Sequence, residues 1–417
     1  MIKKFFKDSF IYSLSNVLVK GISFLLLPLY LQYLSKEEYG VYDYIAVIGS
    51  ILGVVVTLEI SQAVVRFVTL HKAWSESAIY IKSSVISVLA LYSVFFVFVF
   101  GFSEDISFFI TGEKGNSLLV IVGALNYFSM SMLYLTIVID RSFLKSRNVA
   151  ISSVLSALIV AVLSFLFLRI LEFGVLSLLF ANFIGQTTVF VFNLIRYREY
   201  LKVPIEVNKV LEMLRFSTPL VFSSLGVMFS LYVDRIMVKE FMGVEMLAEY
   251  GLAARISSLA TLIVFGFQSS LSPLIYNNFE SKGFKRNMII LFLFFTVVSV
   301  FLVLFSMFFS GVLMAFLGGD GYFFVSSIVP VMIASILISS AYIFFPGVSI
   351  VKKTSILSYI NMFSAILNAA LNFYAIPNYG LQGAAFATLL SAVICFFLNA
   401  YFSEKHYPIY TRIGGIK

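Results

Sequence analysis

Long apolar stretches and short polar connectors alternate along the whole chain. Each stretch has about 20 residues, enough to cross a hydrocarbon core about 30 Å thick as an α-helix. We count twelve such stretches, which predict an all-α polytopic membrane protein. They centre on residues 10–33, 43–65, 78–102, 117–139, 149–170, 174–195, 216–238, 250–274, 288–316, 323–349, 355–376 and 380–402.

Two short sequence signatures occur twice. Glu38-Tyr39-Gly40-Val41 is matched by Glu249-Tyr250-Gly251-Leu252, and Phe173-Gly174-Val175-Leu176 is matched by Tyr379-Gly380-Leu381-Gln382. A nearly constant offset close to half the chain length predicts a duplicated unit of six spans, whose two copies share one orientation in the membrane. We therefore expect an N-terminal lobe at 1–200, a connector at 201–215 and a C-terminal lobe at 216–417.

The composition excludes most soluble proteins and most cofactor enzymes. Hydrophobic residues make up 60% of the chain and charged residues 12%, against about 25% charged residues in soluble domains. Cys395 is the single cysteine, and His71 and His406 are the two histidines. Neither an internal disulfide nor a metal cluster is expected, nor any other cofactor. Because the connectors are too short to hold an extramembrane active site, we predict that the protein is not an enzyme.

The distribution of charge predicts the orientation. With the N-terminus placed inside, most Lys and Arg residues fall on inside connectors and acidic residues predominate outside, as the positive-inside rule requires. The net charge of +8 is thus a topology signal and not a sign of nucleic-acid binding. Both termini are expected in the cytoplasm. The basic residues that carry this prediction include Lys3, Lys4, Lys7, Arg141, Lys145, Arg147, Lys282, Lys285, Arg286, Lys352 and Lys353.

Three charged residues fall inside predicted spans, where each costs about 2.5–3.5 kcal/mol on insertion scales. Lys20 lies near the middle of the first span, Glu59 lies in the second and Arg255 lies near the outer end of the eighth. Such residues are candidates for function because their cost needs a compensating role.

Lys20 belongs to a polar stripe on one helical face. We interpret Lys20 and Asn16 as contacts for an anionic headgroup; the alternative is that Lys20 snorkels or pairs with Glu59. The members of the stripe are Ser9, Ser13, Asn16, Lys20 and Ser23.

A second stripe begins at Glu59 and includes Arg66. An internal Glu59–Arg66 ion pair is one interpretation, and uptake of a proton or another cation by Glu59 is the other. Arg66 and Arg255 are further candidates for binding an anionic substrate. Asp234, near the end of the seventh span, either faces the interior as a second ion-coupling candidate or caps its helix.

Several motifs, in this order and spacing, carry a resemblance to a known family. Leu34-Ser35-Lys36-Glu37-Glu38-Tyr39-Gly40-Val41-Tyr42-Asp43 follows the first span, and Arg215-Phe216-Ser217-Thr218-Pro219 opens the seventh. Asp234-Arg235 closes that span, and Tyr379-Gly380-Leu381-Gln382-Gly383-Ala384-Ala385 opens the last. Over essentially its whole length the chain resembles the polysaccharide repeat-unit (O-antigen, Wzx-type) flippases of the multidrug, oligosaccharidyl-lipid and polysaccharide (MOP) exporter superfamily.

That resemblance implies a MATE-like fold, with two six-helix lobes around a central cavity, in the cytoplasmic (inner) membrane of a bacterium. It implies that undecaprenyl-pyrophosphate-linked oligosaccharide is moved from the cytoplasmic to the outer leaflet. We expect this transport to proceed by alternating access, and coupling to an H⁺ or Na⁺ gradient is a further expectation. The partners it implies are the lipid-linked substrate and membrane lipid. A polysaccharide polymerase and chain-length proteins are candidate protein partners.

Three other functions stay open at this point. A cation-coupled drug or metabolite antiporter of the same superfamily would need cavity carboxylates, for which Glu59 and Asp234 are the candidates. A membrane glycosyltransferase or polysaccharide polymerase usually presents a large outer loop, and the outer connectors here are short. A non-catalytic scaffold is disfavoured by the internal duplication and the prolines within spans.

Overall fold

A computed structural model describes residues 2–71, 73–279, 281, 283–317, 321–322, 324–351, 353 and 355–410. Over these residues the chain is helical, and eleven helical segments are long and apolar enough to cross a membrane. The last of them, Ser355–His406, contains a non-helical residue, Gly380, and therefore comprises two spans. The predicted all-α class and the twelve spans are confirmed for this part of the chain.

The chain divides into two compact units, with the boundary between Phe229 and Ser230. The boundary falls inside helix α10, Val207–Met242. Residues 207–215 of the predicted connector are therefore helical and continuous with the seventh span. The helices of unit 1 that precede α10 are α1 Ile2–Leu25, α2 Leu27–Tyr33, α3 Lys36–Thr57, α4 Ile60–Leu70, α5 Trp74–Gly101, α6 Ser103–Thr111, α7 Ser117–Ser142, α8 Ser146–Leu166 and α9 Val175–Arg196.

Unit 2 contains the end of α10 and the helices that follow it. A 3₁₀ turn, Ala341–Phe344, continues the tenth span after α14. The helices after α10 are α11 Val244–Ser257, α12 Ala260–Asn278, α13 Phe284–Leu317, α14 Val325–Ser340, α15 Gly347–Ile350 and α16 Ser355–His406.

The first copy of the repeated signature begins α3 with a capping box. The Ser35 hydroxyl accepts a hydrogen bond from the Glu38 N–H (3.1 Å), and the Glu38 carboxylate accepts one from the Ser35 N–H (2.9 Å). These bonds give a partner to two backbone N–H groups, those of Ser35 and Glu38, that the helix itself leaves unpaired. The sequence Ser35-Lys36-Glu37-Glu38 thus determines where the second span begins.

The second repeated signature places a glycine with the same unusual backbone at the start of the sixth and twelfth spans. Gly174 has φ 53° and ψ −128°, and Gly380 has φ 61° and ψ −145°. Only glycine adopts this region readily, because a Cβ would collide with the backbone. The matching conformations agree with the predicted duplication.

Alanine at Gly174 is expected to lower the stability of unit 1 by about 2–3 kcal/mol, because it combines backbone strain with a steric clash. A Cβ at Gly174 would overlap the Glu38 carboxylate of the capping box. Gly311 provides the matched control, since it lies inside α13 with open space around it. There alanine should be neutral or stabilising by up to about 1 kcal/mol. The apparent melting temperature of the purified protein in one detergent tests both; equal melting temperatures for Gly174→Ala and the wild type would contradict the prediction.

Two spans of unit 1 are interrupted for different reasons. Pro28 lies at the start of α2, and its missing N–H accounts for the break from α1 at Leu26. The second span breaks between α3 and α4 at Leu58 and Glu59, both of which have a left-handed backbone (φ 49° and 54°). The residues around this second break include neither proline nor glycine, and the break therefore has no local signal in the sequence.

The segment after α16 packs where α12 and the tenth span end. The Tyr407 hydroxyl donates a hydrogen bond to the Phe279 carbonyl (2.6 Å), and the Tyr410 hydroxyl donates one to the Phe344 carbonyl (3.1 Å). Ile409 is fully buried, and its N–H bonds to the Glu404 carboxylate (3.0 Å). These contacts close a cluster of aromatic and aliphatic side chains on α12, α13 and α14.

Some residues used to predict the orientation lie outside the described part. Lys282 and Lys352 are not described, and the side chains of Lys3, Lys4 and Lys7 are not described either. The side chain of Ser9, the first member of the Lys20 stripe, also lies outside the described part. The orientation itself remains a prediction.

Candidate functional site

Lys20 lies half-buried on α1, which packs against α8. One turn before it, Asn16 is exposed, and one turn after it Ser23 is exposed and donates a hydrogen bond to the Val19 carbonyl (3.0 Å). The predicted polar stripe therefore lies on an accessible face of α1. The structure thus keeps Lys20 and Asn16 one turn apart on a face that a ligand can reach.

Glu59 is buried at the break between α3 and α4. Its carboxylate accepts a long hydrogen bond from the Ser61 hydroxyl (3.4 Å). Glu59 occupies the N-cap position of α4 without a side-chain capping bond. Two successive left-handed residues cost about 1–3 kcal/mol each, so the surrounding packing must hold them in place.

Arg66, on α4, has a different partner from the one predicted. Its guanidinium carbon lies 4.4 Å from the centre of the Phe216 ring and 5.8 Å from that of Phe67. Among the ion pairs between described residues there is none that joins Arg66 to Glu59. The interpretation of an internal Glu59–Arg66 pair is therefore wrong, since Glu59 is hydrogen-bonded to Ser61 and Arg66 contacts aromatic rings.

Asp234 lies inside α10, two turns before its end, and therefore does not cap that helix. Its carboxylate accepts a hydrogen bond from the Tyr250 hydroxyl (2.7 Å) on α11. The Tyr250 hydroxyl also lies close to Thr388, in the second half of α16. Asp234 is thus hydrogen-bonded to α11, beside the second half of α16.

Two asparagines of α16 extend this connection. The Asn368 amide donates hydrogen bonds to Thr388 (3.3 Å) and to Ser391 (3.1 Å), and the Asn372 amide donates one to the Asn368 side-chain oxygen (3.1 Å). The Asn372 side-chain oxygen is buried and has no hydrogen-bond partner among the described residues. We name Asp234, Tyr250, Asn368, Asn372, Thr388 and Ser391 the unit 2 polar cluster.

Arg255 lies half-buried in the last turn of α11. The chain bends just after it, and the Ser258 hydroxyl donates a hydrogen bond back to the Arg255 carbonyl (2.8 Å). Of the predicted site residues, the structure brings Asp234 into a polar cluster in unit 2 and places Lys20, Asn16, Glu59 and Arg66 in unit 1.

The sequence and fold have clear relatives. A family model described as polysaccharide biosynthesis protein matches residues 5–279, which is more than half of the chain. This chain belongs to the polysaccharide biosynthesis protein family. A second model, MatE, matches residues 219–374 of this family member. No curated protein matches its sequence.

Solved structures of MOP superfamily transporters share the fold of this polysaccharide biosynthesis family member. An inward-facing MATE family multidrug resistance transporter of the MOP superfamily is 16% identical with a TM-score of 0.72, covering 93% of this chain and 94% of that chain. An outward-facing one is 15% identical with a TM-score of 0.62, covering 96% and 95%. A MOP superfamily transporter from Pyrococcus furiosus, described by the reverse polarity of its binding pocket, is 15% identical with a TM-score of 0.60, covering 95% and 94%. At these identities the likeness shows the fold: a multi-pass membrane protein of MATE-like architecture.

The burial of three acidic residues of this family member was not predicted from the sequence. Asp43 on α3, Asp140 on α7 and Glu249 on α11 each have an exposed fraction of 1% or less. Glu249, in the second copy of the first repeated signature, accepts a hydrogen bond from the Phe324 N–H (2.7 Å) at the start of α14. All three lie at the ends of spans, where the hydropathy pattern assigns acidic residues to connectors. Their burial depends on neighbouring helices and leaves no local signal.

Proposed function

We propose that this protein is a flippase that moves undecaprenyl-pyrophosphate-linked oligosaccharide from the cytoplasmic to the outer leaflet of a bacterial inner membrane by alternating access. The observation that carries the proposal is the polysaccharide biosynthesis family match over residues 5–279 in a chain with the fold of MOP superfamily transporters. Within polysaccharide biosynthesis, the step that suits a transporter fold is the movement of the lipid-linked intermediate across the membrane.

Lys20 supports the anionic nature of the substrate. A pyrophosphate needs cationic partners in a low-dielectric environment, whereas the lipid tail can remain in the bilayer. Lys20 offers such a charge from an accessible face of α1, with Asn16 one turn away. The Arg66 guanidinium contacts the Phe216 ring, and Arg66 is an exposed residue. Cation–π contact and anion binding are compatible, because they use the face and the edge of the guanidinium.

Transport in vesicles of defined composition tests the proposal. The purified protein is reconstituted with undecaprenyl-pyrophosphate-linked oligosaccharide, and the fraction of sugar exposed to an added glycosidase is followed with time. Faster exposure than in protein-free vesicles is expected. No acceleration with any imposed H⁺ or Na⁺ gradient would contradict flippase activity.

A cation-coupled drug antiporter is the second candidate, and the MatE match over residues 219–374 favours it. The same vesicles distinguish the two functions. Uptake of a small lipophilic cation such as ethidium, without movement of the lipid-linked oligosaccharide, would favour the antiporter.

We place ion coupling in the unit 2 polar cluster. It contains a carboxylate, which can take up a proton. Together with the hydroxyl groups and the unpartnered oxygen of Asn372, this carboxylate also offers the hard oxygen ligands that suit Na⁺. Glu59 is the rival residue, buried at a helix break in unit 1 with a weak hydrogen bond.

Asp234→Asn is expected to abolish the dependence of transport on the ion gradient, because it removes the negative charge while keeping the size of the side chain. Glu59→Gln should leave that dependence intact, and so should the matched control Glu240→Gln on the same helix as Asp234, where the carboxylate is half-exposed. The measurement is the ratio of transport rates with and without a Na⁺ or pH gradient. A ratio that survives in Asp234→Asn but vanishes in Glu59→Gln would move the coupling site to the helix break.

A further inference from the structure

Unit 1 contains an apolar cavity of about 210 Å³ between α3, α5, α6 and α7. Its wall is made of aliphatic and aromatic side chains, with Tyr127 as the one lining residue that carries a polar side-chain group. The Tyr127 hydroxyl is used elsewhere, since it donates a hydrogen bond to the Ile45 carbonyl (2.6 Å). Because water needs two or more polar partners, this cavity favours an apolar occupant.

A glycine keeps the cavity open. Gly123 lies inside α7 with an ordinary helical backbone, and a Cβ there would meet only the Ile45 side chain, at 3.6 Å. Neither conformation nor crowding therefore requires glycine at this position. Gly49, on the facing helix, is different, because a Cβ there would overlap the Tyr127 ring. The missing side chain at Gly123 therefore adds volume to the cavity and is not needed for close packing between helices.

The cavity reaches the surface of unit 1. Phe98 lines it and is 54% exposed, and the neighbouring Val94 and Val97 on α5 are 71% and 75% exposed. In a spanning helix such apolar, exposed side chains contact lipid chains. The medium next to the opening is therefore the hydrocarbon of the bilayer.

Helix α6 closes the cavity toward the membrane surface. Ile110 faces the cavity, whereas Phe108 and Phe109 are exposed and Glu104 and Asp105 lie in the first turn. Exposed aromatic residues beside acidic ones in a nine-residue helix are typical of an interfacial segment. The cavity thus lies just beneath the surface of one leaflet, where the chains of that leaflet's lipids can enter.

We propose that this cavity binds the hydrocarbon chain of a membrane lipid from the leaflet that contacts α6. An apolar cavity of about 150 Å³ holds a benzene ring, so the volume here suits part of one alkyl or prenyl chain. The site is separate from Lys20 and from the unit 2 polar cluster, and it does not depend on the transported substrate.

Photolabelling in vesicles tests the proposal. The protein is reconstituted with phosphatidylglycerol that carries a diazirine within one acyl chain, or with a polyprenyl phosphate that carries the same group near its end. After illumination, labelled residues are identified by peptide mass spectrometry. Label is expected on the cavity residues Ile48, Leu52 and Phe98, in addition to the lipid-facing Val94 and Val97. The two probes distinguish a bulk phospholipid from a prenyl lipid, and either result supports a chain-binding site.

Gly123→Leu should lower labelling of the cavity residues relative to Val94 and Val97 by about tenfold, the factor expected when burial of about two methylene groups is lost. The matched control Gly311→Leu, in open space on α13, should leave the ratio unchanged. Gly123→Ala fits at ordinary contact distance and should retain most of the labelling. An excess of unlabelled prenyl phosphate or phosphatidylglycerol should also lower cavity labelling in the wild type. Cavity labelling that equals background, or that neither Gly123→Leu nor competition changes, would overturn the proposal.

Discussion

Lys20→Ala is expected to lower the rate of lipid-linked oligosaccharide transport by about 100-fold, while the protein still inserts and folds. Removing one partner of a desolvated charge pair typically costs 2–5 kcal/mol, which corresponds to about two orders of magnitude in rate or affinity. Lys20 is half-buried on α1 and flanked by the exposed Asn16 and Ser23. Its ammonium group is therefore partly desolvated at a place that a pyrophosphate can reach. The glycosidase-accessibility assay in vesicles measures the effect.

Two substitutions at the same position separate charge from packing. Lys20→Arg keeps the positive charge and should retain part of the activity, and Lys20→Met keeps the apolar stem and should behave like Lys20→Ala. Lys114→Ala is the matched control, because that side chain is 66% exposed and its ion pair with Asp105 is long, at 4.0 Å. Transport at the wild-type rate in Lys20→Ala would remove the anion-contact hypothesis.

Asp140→Ala is expected to destabilise unit 1 by about 3–5 kcal/mol, the cost of breaking a buried ion pair from one side. The Asp140 carboxylate is fully buried and accepts hydrogen bonds from Tyr197 (2.6 Å), Asn148 (3.0 Å) and Arg196 (3.1 Å). These donors come from the start of α8 and the end of α9, and the carboxylate therefore joins the ends of three spans. Without it, all three donors lose a partner in a place with little access to water.

The apparent melting temperature in one detergent should fall by roughly 10 °C for Asp140→Ala. Asp105→Ala, at a side chain that is 71% exposed, should change it by no more than about 2 °C. Asp140→Asn keeps an acceptor oxygen and should lie between the two. If Asp140→Ala has the same melting temperature as the wild type, the hydrogen bonds to Asp140 do not hold the three helix ends together.

The spans and the duplicated glycines could be predicted from the sequence because their causes are local. A run of about 20 apolar residues is itself the requirement for crossing the bilayer. Gly174 and Gly380 recur because a backbone with positive φ and extended ψ admits hardly any other residue. Lys20 stood out for a similar reason, since a charge in the middle of an apolar run is costly wherever its neighbours lie.

The break in the second span, the partner of Arg66 and the unit 2 polar cluster could not be predicted, because they depend on contacts between residues that are distant in sequence. The break at Leu58–Glu59 has no proline or glycine to signal it. The partner of Arg66, the Phe216 ring, lies on α10, about 150 residues further along the chain. The unit 2 polar cluster brings together side chains from α10, α11 and both halves of α16, and of its members only Asp234 was a candidate from the sequence.

The position of helix α10 affects whether the protein could be expressed as two separate fragments. Its first half packs within unit 1, where Glu212 accepts a hydrogen bond from Tyr80 (3.1 Å) and Phe216 packs edge-on to Phe67. The duplication signatures place the junction of the two copies before this helix, whereas the packing boundary falls at Phe229–Ser230. Two gene fragments separated in the 201–215 connector would therefore yield a first fragment with bare aromatic side chains and a second fragment carrying the segment that covers them. Such fragments should accumulate only when they are co-expressed, like the interdependent pieces of a split reporter protein.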